Sequence, residues 1–217
     1  MTIARGQGVY VFDDQGKRYL EGMSGLWCAS LGYGNEEIGE TAKAQISTLS
    51  YAHLFGGKTH PMAIALATKL ASMVPIKDAH VFLGNSGSDA NDSQIKLLQY
   101  YFNGLGKIHK KKIIARDRAY HGVTVAASSL TGLPATHAGF DVPFDAIGVI
   151  RVNAPHYYRQ KNPGETEEAF TDRLAENLES AIDANGAENI AAMIIEPVTG
   201  AGGVVVPPAG YYQRLQA

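Results

Sequence analysis

Short apolar runs alternate with helical or loop segments from about residue 80 onward, and this alternation most restricts what the chain can fold into. The runs are rich in Val and Ile, as buried strands are, and they lie at Val81 to Leu83, Ile113 to Ala115, Ile147 to Val152 and Ile190 to Ile195. Strands that alternate with helices form parallel sheets whose faces the helices cover. The pattern predicts an α/β fold that binds its ligands beyond the carboxyl ends of the strands.

The remaining segments predict helices and one small antiparallel piece. Alternating apolar residues around a turn predict two short strands between Gly8 and Leu20. Helical spacing predicts helices at Asn35 to Leu49, Pro61 to Met73 and Thr166 to Ala184. The last of these helices carries an apolar stripe at Phe170, Leu174, Leu178 and Ile182, and the segment from Gly210 to Ala217 has the pattern of a beginning helix.

Charge and composition argue against several classes of partner. A formal net charge of −2 over 217 residues gives no electrostatic reason to expect nucleic acid or an acidic membrane surface. No apolar stretch is long enough to span a bilayer, and the one cysteine, Cys28, cannot form an internal disulfide. The N-terminal residues MTIARGQG lack the apolar core of a signal peptide, so we expect a cytoplasmic setting.

The stretch Gly84 to Asn91, GNSGSDAN, joins the first apolar run to a helical pattern. The first amides of a helix have no intrahelical acceptor and carry partial positive charge, so they can hold a phosphate. Glycine lets an anion approach the backbone, and serine adds a hydroxyl donor. The alternative is a capped helix in which Ser86 and Asp89 form a capping box, but capping alone requires neither Gly84 nor Gly87.

Two better-known motifs come close and fail. The segment Gly56-Gly57-Lys58-Thr59 contains GKT, but a P-loop needs a glycine where this chain has Ala52. A nucleophile elbow around Ser86 needs a glycine where the chain has Ser88. No spacing typical of a metal hydrolase is present in the sequence. A phosphate-binding hydrolase or kinase on a parallel sheet therefore stays only as an alternative.

Three further stretches could carry chemistry. Tyr120 and His121 follow the second apolar run, and Glu196 directly follows the fourth and precedes a glycine-rich turn, so all three lie at one edge of the predicted sheet. Taken singly, a buried tyrosine and a turn-forming glutamate are the plainer interpretations. Trp27, the one tryptophan, follows Leu26 in a glycine-rich loop and could fill a core or line a pocket.

Together these stretches resemble the class III, or omega-type, aminotransferases, which use pyridoxal 5′-phosphate on the fold type I scaffold. The likeness covers nearly the whole chain in order, through GVYVFDDQGKRYLEGMSGLWCASLGYG, KTHP, NSGSDAN, AYHG and IIEPVTGAGGVVVPPAGYYQRL. It implies a large cofactor-binding domain, with a mixed and mostly parallel sheet flanked by helices, and part of a small domain. We expect residues 1–50 to belong to the small domain and residues 51–217 to the first part of the large one.

The resemblance also implies roles for individual residues. Gly87 and Ser88 match the residues that hold the cofactor phosphate. Tyr120 matches the aromatic that stacks on the pyridine ring, with His121 beside it, and Glu196 matches a glutamate below the cofactor. Four further residues match the substrate-binding pocket or the segment that extends toward the neighbouring subunit of a homodimer, and these are Leu26, Trp27, Leu54 and Phe55.

The implied activity moves an amino group from an amine or omega-amino acid to a keto acid such as pyruvate. In the family, the Schiff-base lysine follows the helix that matches GYYQRL, so we expect these 217 residues to contain no counterpart of it. The resemblance leaves open other pyridoxal-phosphate chemistry on the same scaffold, such as decarboxylation, epimerisation or aminomutase activity. A binding or assembly module without catalysis is a further alternative.

Overall fold

The structure is a computed structural model that describes residues 1–216, and it divides into two compact units, Met1–Phe82 and a second that begins at Leu83. The predicted helix beginning near Gly210 is present, and Ala217 lies outside the described residues. Among the helices of residues 1–216, none is long and apolar enough to cross a membrane. The predicted domain boundary after residue 50 stays a prediction.

The first unit combines an antiparallel sheet with two regular helices. Its strands pair in the order β1-β2-β3 and are followed by a four-residue turn, α1, and the helices α2 and α3. Their bounds are β1 Ile3–Gln7, β2 Tyr10–Asp13, β3 Arg18–Leu20, α1 Ser24–Trp27, α2 Glu36–Thr48 and α3 Pro61–Met73. The two predicted strands and both predicted helices are confirmed, and β1 is an additional strand.

The second unit is the α/β part of the chain. Its elements are α4 Gly87–Gly104, β4 Lys112–Arg116, α5 Val125–Leu130, α6 Phe144–Ile147, β5 Val149–Val152, α7 Tyr157–Gln160, α8 Glu167–Asn185, β6 Ile190–Ile194 and α9 Tyr211–Gln216. Two 3-10 turns lie at Pro134–Thr136 and Ala187–Asn189. The strands form a sheet in the order β5-β4-β6, and both strand pairs are parallel. The predicted α/β class with a parallel sheet is confirmed.

The central strand β4 is buried on both of its faces. Ile113 packs in a cluster with Ile95 of α4 and Leu130 of α5, whereas its neighbour Ile114 packs with Leu178 of α8 on the opposite face. Successive side chains of a strand point to opposite faces, so one strand can fill both clusters. Helices on both sides of the sheet leave its ligand-binding region at the carboxyl ends of the strands.

One predicted strand is not formed, and a second is shorter than predicted. The residues Val81 to Leu83 pair with no other strand among residues 1–216, and Phe82 is 76% exposed. A strand requires a hydrogen-bonding neighbour, which an apolar run cannot supply by itself. Ile147 ends the helical turn α6, so β5 begins only at Val149.

Helix α8 is amphipathic as its stripe predicts, and it is held at both ends. The Thr166 hydroxyl accepts a hydrogen bond from the Ala169 amide at 3.2 Å, and Gly186 ends the helix with a φ of 75°. Phe170 is fully buried in a cluster with Leu174 and Tyr211. This cluster fixes α9 against α8.

We expect Phe170→Ala to lower the free energy of unfolding by about 3–5 kcal/mol, because it opens a cavity in this cluster. Chemical denaturation of both variants and the parent protein measures the effect. The matched control is Phe140→Ala, whose side chain is 72% exposed and whose loss is expected to cost less than about 0.5 kcal/mol. Equal losses in the two variants would contradict the described packing.

Candidate cofactor-binding site

The N-terminus of α4 presents main-chain amides that donate to no atom of the described residues. Ser86 caps the helix, because its hydroxyl accepts a hydrogen bond from the Asp89 amide at 3.1 Å. The Asp89 carboxylate turns back to accept the Asn85 amide at 3.0 Å. The amides of Gly87 and Ser88 have no acceptor among residues 1–216. Two aligned donors therefore remain for an anion from outside the chain.

The two glycines of this turn serve different purposes. A Cβ atom at Gly84 would lie 2.7 Å from the Asp89 carboxylate, so this glycine makes room for the returning side chain. A Cβ atom at Gly87 would meet nothing within 4 Å, and the φ of Gly87 lies outside the left-handed region. Neither packing nor backbone geometry requires glycine at position 87. An open approach to the amides remains as its physical reason.

The segment after β4 is fastened to the first turns of α4. The Val123 amide donates to the Ser88 hydroxyl oxygen at 3.1 Å, and the Asn91 side-chain amide donates to the His121 carbonyl at 2.6 Å. Gly122 lies so close to Ser88 that a Cβ atom there would overlap the serine side chain. The predicted site residues Ser88, Tyr120 and His121 are thus brought together by direct contacts between two segments.

Glu196 joins the ends of β4 and β6. One of its carboxylate oxygens, Oε1, accepts the Tyr120 amide at 3.0 Å, and Oε2 accepts the Gly200 amide at 2.9 Å. The Glu196 carbonyl accepts a hydrogen bond from the Arg116 Nη2 at 2.5 Å and one from the Tyr212 hydroxyl at 3.0 Å. Glu196 therefore fixes the backbone that carries Tyr120, whose side chain is 40% exposed.

Arg116 is fully buried at the end of β4, and its Nε and Nη1 atoms have no hydrogen-bond partner among residues 1–216. None of the ion pairs in this part of the chain includes it. Its guanidinium lies 6.0 Å from the centre of the Tyr211 ring. Because Arg116 donates to the Glu196 carbonyl, the buried guanidinium supports the position of Glu196.

His121 is buried beside the same loop, and it is uncharged at neutral pH. Burial lowers the pKa of His121 to about 4, although the nearby Glu196 carboxylate acts in the opposite direction. Its amide donates to the Thr131 hydroxyl at 2.9 Å, and its Nε2 atom has no partner among the described residues. A neutral imidazole with one free buried nitrogen can donate or accept a single hydrogen bond.

Asp92 and Arg151 hold the short helix α5 in place. The Asp92 Oδ1 atom accepts the Thr124 hydroxyl at 2.8 Å and the Ala127 amide at 2.9 Å, so it acts as the N-terminal cap of α5. Arg151 of β5 donates to carbonyls at the other end, including that of Leu130 at 2.6 Å. Both ends of α5 are therefore tied to other elements of the second unit.

Leu26 and Trp27 lie in the first unit, in a turn of unusual hand. All four residues of α1 have positive φ angles, from 49° at Ser24 to 69° at Trp27. A left-handed residue with a side chain costs about 1–2 kcal/mol, and three of the four residues carry one. Such strain persists only where other contacts hold it, and it concentrates at functional sites.

Leu54 and Phe55 also lie in the first unit, in the loop between α2 and α3. Both are exposed, Phe55 at 83%, and the Phe55 amide donates to the His53 ring at 3.2 Å. An exposed aromatic residue gains no stability from packing within the chain. Like Leu26 and Trp27, Leu54 and Phe55 are therefore apolar side chains that are open to contact from a ligand or another chain.

Several residues that build the site were not predicted from the sequence. Arg116, Asn91 and Thr131 each make a contact that holds His121 or Glu196 in place, and Asp92 holds the start of α5. The one available signal was Arg116, a charged residue that closes a buried strand. Among residues 1–216 no cluster of metal-ligating side chains is found.

Hydrogen bonds join the segments that carry Ser88, Tyr120 and Glu196 beside a parallel sheet, and comparison with known proteins identifies the class of protein. The model of the class-III aminotransferase family matches residues 1–217. The chain belongs to the class-III aminotransferase family. Enzymes of this family depend on pyridoxal phosphate.

Known relatives match the whole chain. A mitochondrial gamma aminobutyrate transaminase 1 from Solanum lycopersicum and a vanillin aminotransferase from Capsicum frutescens are each 48% identical to it, and the matches cover 42% and 47% of those proteins. The omega transaminase from Pseudomonas jessenii, solved in complex with PMP, superposes with a TM-score of 0.96 at 51% identity over 100% of this chain and 47% of its own. The chain spans about half the length of the relatives it matches.

We expect the parent protein to lose stability as the pH falls from about 6.5 toward about 4. The unfolded chain takes up a proton at the ordinary histidine pKa of 6.5, whereas folded His121 resists protonation until about pH 4. Chemical denaturation at about pH 7.5 and about pH 4.5 measures the loss. The loss of stability should be smaller in His121→Gln than in the parent protein. His109→Gln, which changes an exposed histidine, should lose as much stability as the parent. A loss in His121→Gln equal to that of the parent would contradict a neutral His121.

Proposed function

We propose that this chain holds pyridoxal phosphate for an aminotransferase that moves an amino group from an amine or omega-amino acid to a keto acid, with pyruvate as the acceptor. The carrying observation is the pair of unpartnered amides at Gly87 and Ser88, open to approach and joined by hydrogen bonds to the segment of Tyr120. A phosphate fits these donors because both point from a helix N-terminus with partial positive charge.

The residues of the site divide the work of holding such a ligand. The Gly87 and Ser88 amides would bind phosphate oxygens, and the Ser88 hydroxyl, which accepts a hydrogen bond from Val123, keeps its own proton to donate. The Tyr120 ring would pack on the flat pyridine ring, and Glu196 keeps the backbone of Tyr120 in place. His121, uncharged at neutral pH, adds no positive charge beside that ring.

Bound pyridoxal phosphate supplies the electron sink that accepts the electron pair released when the donor carbon loses its proton. The chain contributes orientation, because a ligand held by its phosphate and by one ring face cannot rotate freely. Main-chain amides and a clamped backbone are rigid donors that need no rearrangement on binding.

We propose that the apolar part of the amine substrate contacts Leu26, Trp27, Leu54 and Phe55. All four are exposed apolar side chains, and apolar surface of this kind marks binding regions. The relatives are named for gamma aminobutyrate, an omega-amino acid, and for vanillin, an aromatic aldehyde. Both compounds have a larger carbon skeleton than pyruvate. This size fits a substrate whose apolar part contacts several side chains.

We also propose that the protein is a homodimer, and that residues 1–50 and 51–217 belong to its small and large domains. Apolar side chains of α3 support the dimer, because Met62, Ile64, Leu66 and Met73 are exposed and only Ala63 of this helix is buried. The cytoplasmic setting stays a prediction, since the gamma aminobutyrate transaminases among these relatives are named as mitochondrial.

Gly87→Ala tests the phosphate cradle. We expect it to weaken binding of pyridoxal phosphate about tenfold or more, because a methyl group at this position occupies the approach to the amides. Binding of pyridoxal, which lacks the phosphate, should change little. Thermal-shift titration with both compounds measures the difference.

Gly104→Ala, at the opposite end of α4, is the matched control, because a Cβ atom there also meets nothing within 4 Å. It should bind both compounds as the parent protein does. Loss of pyridoxal binding equal to the loss of pyridoxal phosphate binding in Gly87→Ala would refute the cradle.

Amino transfer itself is tested with a full-length protein that contains these 217 residues and a Schiff-base lysine, together with pyridoxal phosphate, an amine donor and pyruvate. We expect alanine to form in an amount equal to the donor consumed, because the amino group leaves one carbon skeleton and joins the other. Release of carbon dioxide would indicate a decarboxylase. Movement of the amino group within a single molecule would indicate an aminomutase.

A further inference from the structure

The left-handed turn α1 is not held by packing of its own side chains. None of its residues is buried, and Leu26 and Trp27 are 65% and 58% exposed. The Trp27 amide donates to the Met23 carbonyl at 2.9 Å, and the Ala29 amide donates to the Ser24 carbonyl at 2.7 Å. These local bonds close the turn, but a right-handed turn would form equivalent ones without the unfavourable φ angles. A further contact must select the hand.

The Glu21 carboxylate supplies that contact. Its Oε1 atom accepts the Met23 amide at 2.9 Å and its Oε2 atom accepts the Gly25 amide at 2.8 Å. The Tyr33 hydroxyl donates to Oε2 at 3.4 Å. The amides of Gly25 and Met23 hold the pKa of Glu21 below its ordinary value, so the side chain is an anion at neutral pH. Two main-chain donors at the start of α1 are therefore directed to one fixed anion.

Glu21 and Tyr33 are both anchored to the antiparallel sheet of the first unit. The Glu21 amide donates to the Val9 carbonyl at 3.0 Å, directly after β3. Tyr33 exchanges two hydrogen bonds with Gly8, each of 2.9 Å. The carboxylate thus connects a regular, paired sheet to a strained turn. Since its own backbone is fixed, it can fix the turn.

We propose that Glu21 is a positioning residue that sets substrate specificity by holding Leu26 and Trp27 in the left-handed turn. The proposal rests on the proposed function, which assigns those two side chains to the substrate. A left-handed turn points its side chains in directions that a right-handed turn of the same length cannot reproduce. Glu21 touches neither substrate nor cofactor in this role, and it acts through the backbone.

Glu21→Gln is the informative variant because it keeps the shape of the side chain. A glutamine offers one accepting oxygen, and its other terminal group is a donor that would face an amide N–H. One of the two hydrogen bonds to the turn is therefore lost and replaced by a repulsive contact. Tyr33→Phe removes only the 3.4 Å contact and should have a smaller effect. Glu40→Gln, in an exposed pair with Lys43, is the matched control.

Trp27 is the one tryptophan of the 217 residues, so its fluorescence and near-ultraviolet circular dichroism report on the turn directly. Subtracting the spectra of Trp27→Phe isolates the Trp27 signal. We expect Glu21→Gln to weaken the Trp27 dichroism and to increase quenching of its fluorescence by acrylamide at least about twofold, with Glu40→Gln unchanged. The cofactor is not needed for this measurement.

The second measurement is steady-state kinetics of the intact enzyme with two amines of different size. In Glu21→Gln the KM of the larger amine should rise about tenfold while the kcat changes little, because a binding contact is lost and the reacting groups are untouched. The KM of pyruvate should stay within about twofold of the parent value. Glu40→Gln should match the parent for all substrates.

The outcomes separate this proposal from the proposed function. An unchanged Trp27 signal in Glu21→Gln would overturn the hold of Glu21 on the turn, whatever the cofactor binds. A changed signal with unchanged KM values in an active enzyme would overturn the specificity role. Absence of amino transfer in the full-length protein would overturn the proposed function and, with it, the specificity role, while the Trp27 signal would still decide whether Glu21 holds the turn.

Discussion

The carboxylate of Glu196 is the contact on which the candidate site depends. It accepts the amides of Tyr120 and Gly200, and so it closes the gap between the loops that follow β4 and β6. Parallel strands bring such loops to one edge, but they do not fix the distance between them. The buried Arg116 side chain donates a hydrogen bond to the carbonyl oxygen of Glu196 and so helps to hold Glu196 in place. Arg118, two residues before Tyr120, adds a second link between the same loops, because its Nε atom donates to the Gly202 carbonyl at 3.0 Å.

Several carboxylates in this chain accept hydrogen bonds from main-chain amides instead of forming ion pairs with lysine or arginine. Glu196 binds two amides, Glu21 binds two, and Asp92 binds an amide and a hydroxyl. An amide donor is part of the backbone, so it cannot move away as a lysine side chain can. A carboxylate held in this way costs little side-chain freedom in its partner. Such carboxylate–amide hydrogen bonds can hold a loop in one conformation where few buried apolar side chains support it.

Local chemistry explains which features could be predicted from the sequence. The stripe at Phe170, Leu174 and Leu178 identified α8 because helical periodicity is contained in the residues themselves. The cap at Ser86 was predictable for the same reason, since the hydroxyl and the amide that it accepts are three residues apart. The edge of the sheet where Tyr120 and Glu196 meet followed from strand-helix alternation.

The features that were missed depend on partners far away in the chain. Tyr120 and Glu196 are 76 residues apart, and Arg116 reaches a carbonyl 80 residues away, so no short window contains both partners. The strand predicted at Val81 to Leu83 failed for a related reason, because pairing belongs to two segments and an apolar run describes only one. The left-handed conformation of α1 could not be predicted either, because Gly25 is the one residue of this turn whose type favours a positive φ.

The open turn at the start of α4 has a consequence for how such a site can be recognised. Its two donors belong to the backbone, which every residue possesses, and what distinguishes position 87 is the lack of a side chain. Truncating side chains one at a time would leave both donors in place. Such a site depends on the space that a missing side chain leaves open. The informative substitutions are therefore those that add atoms.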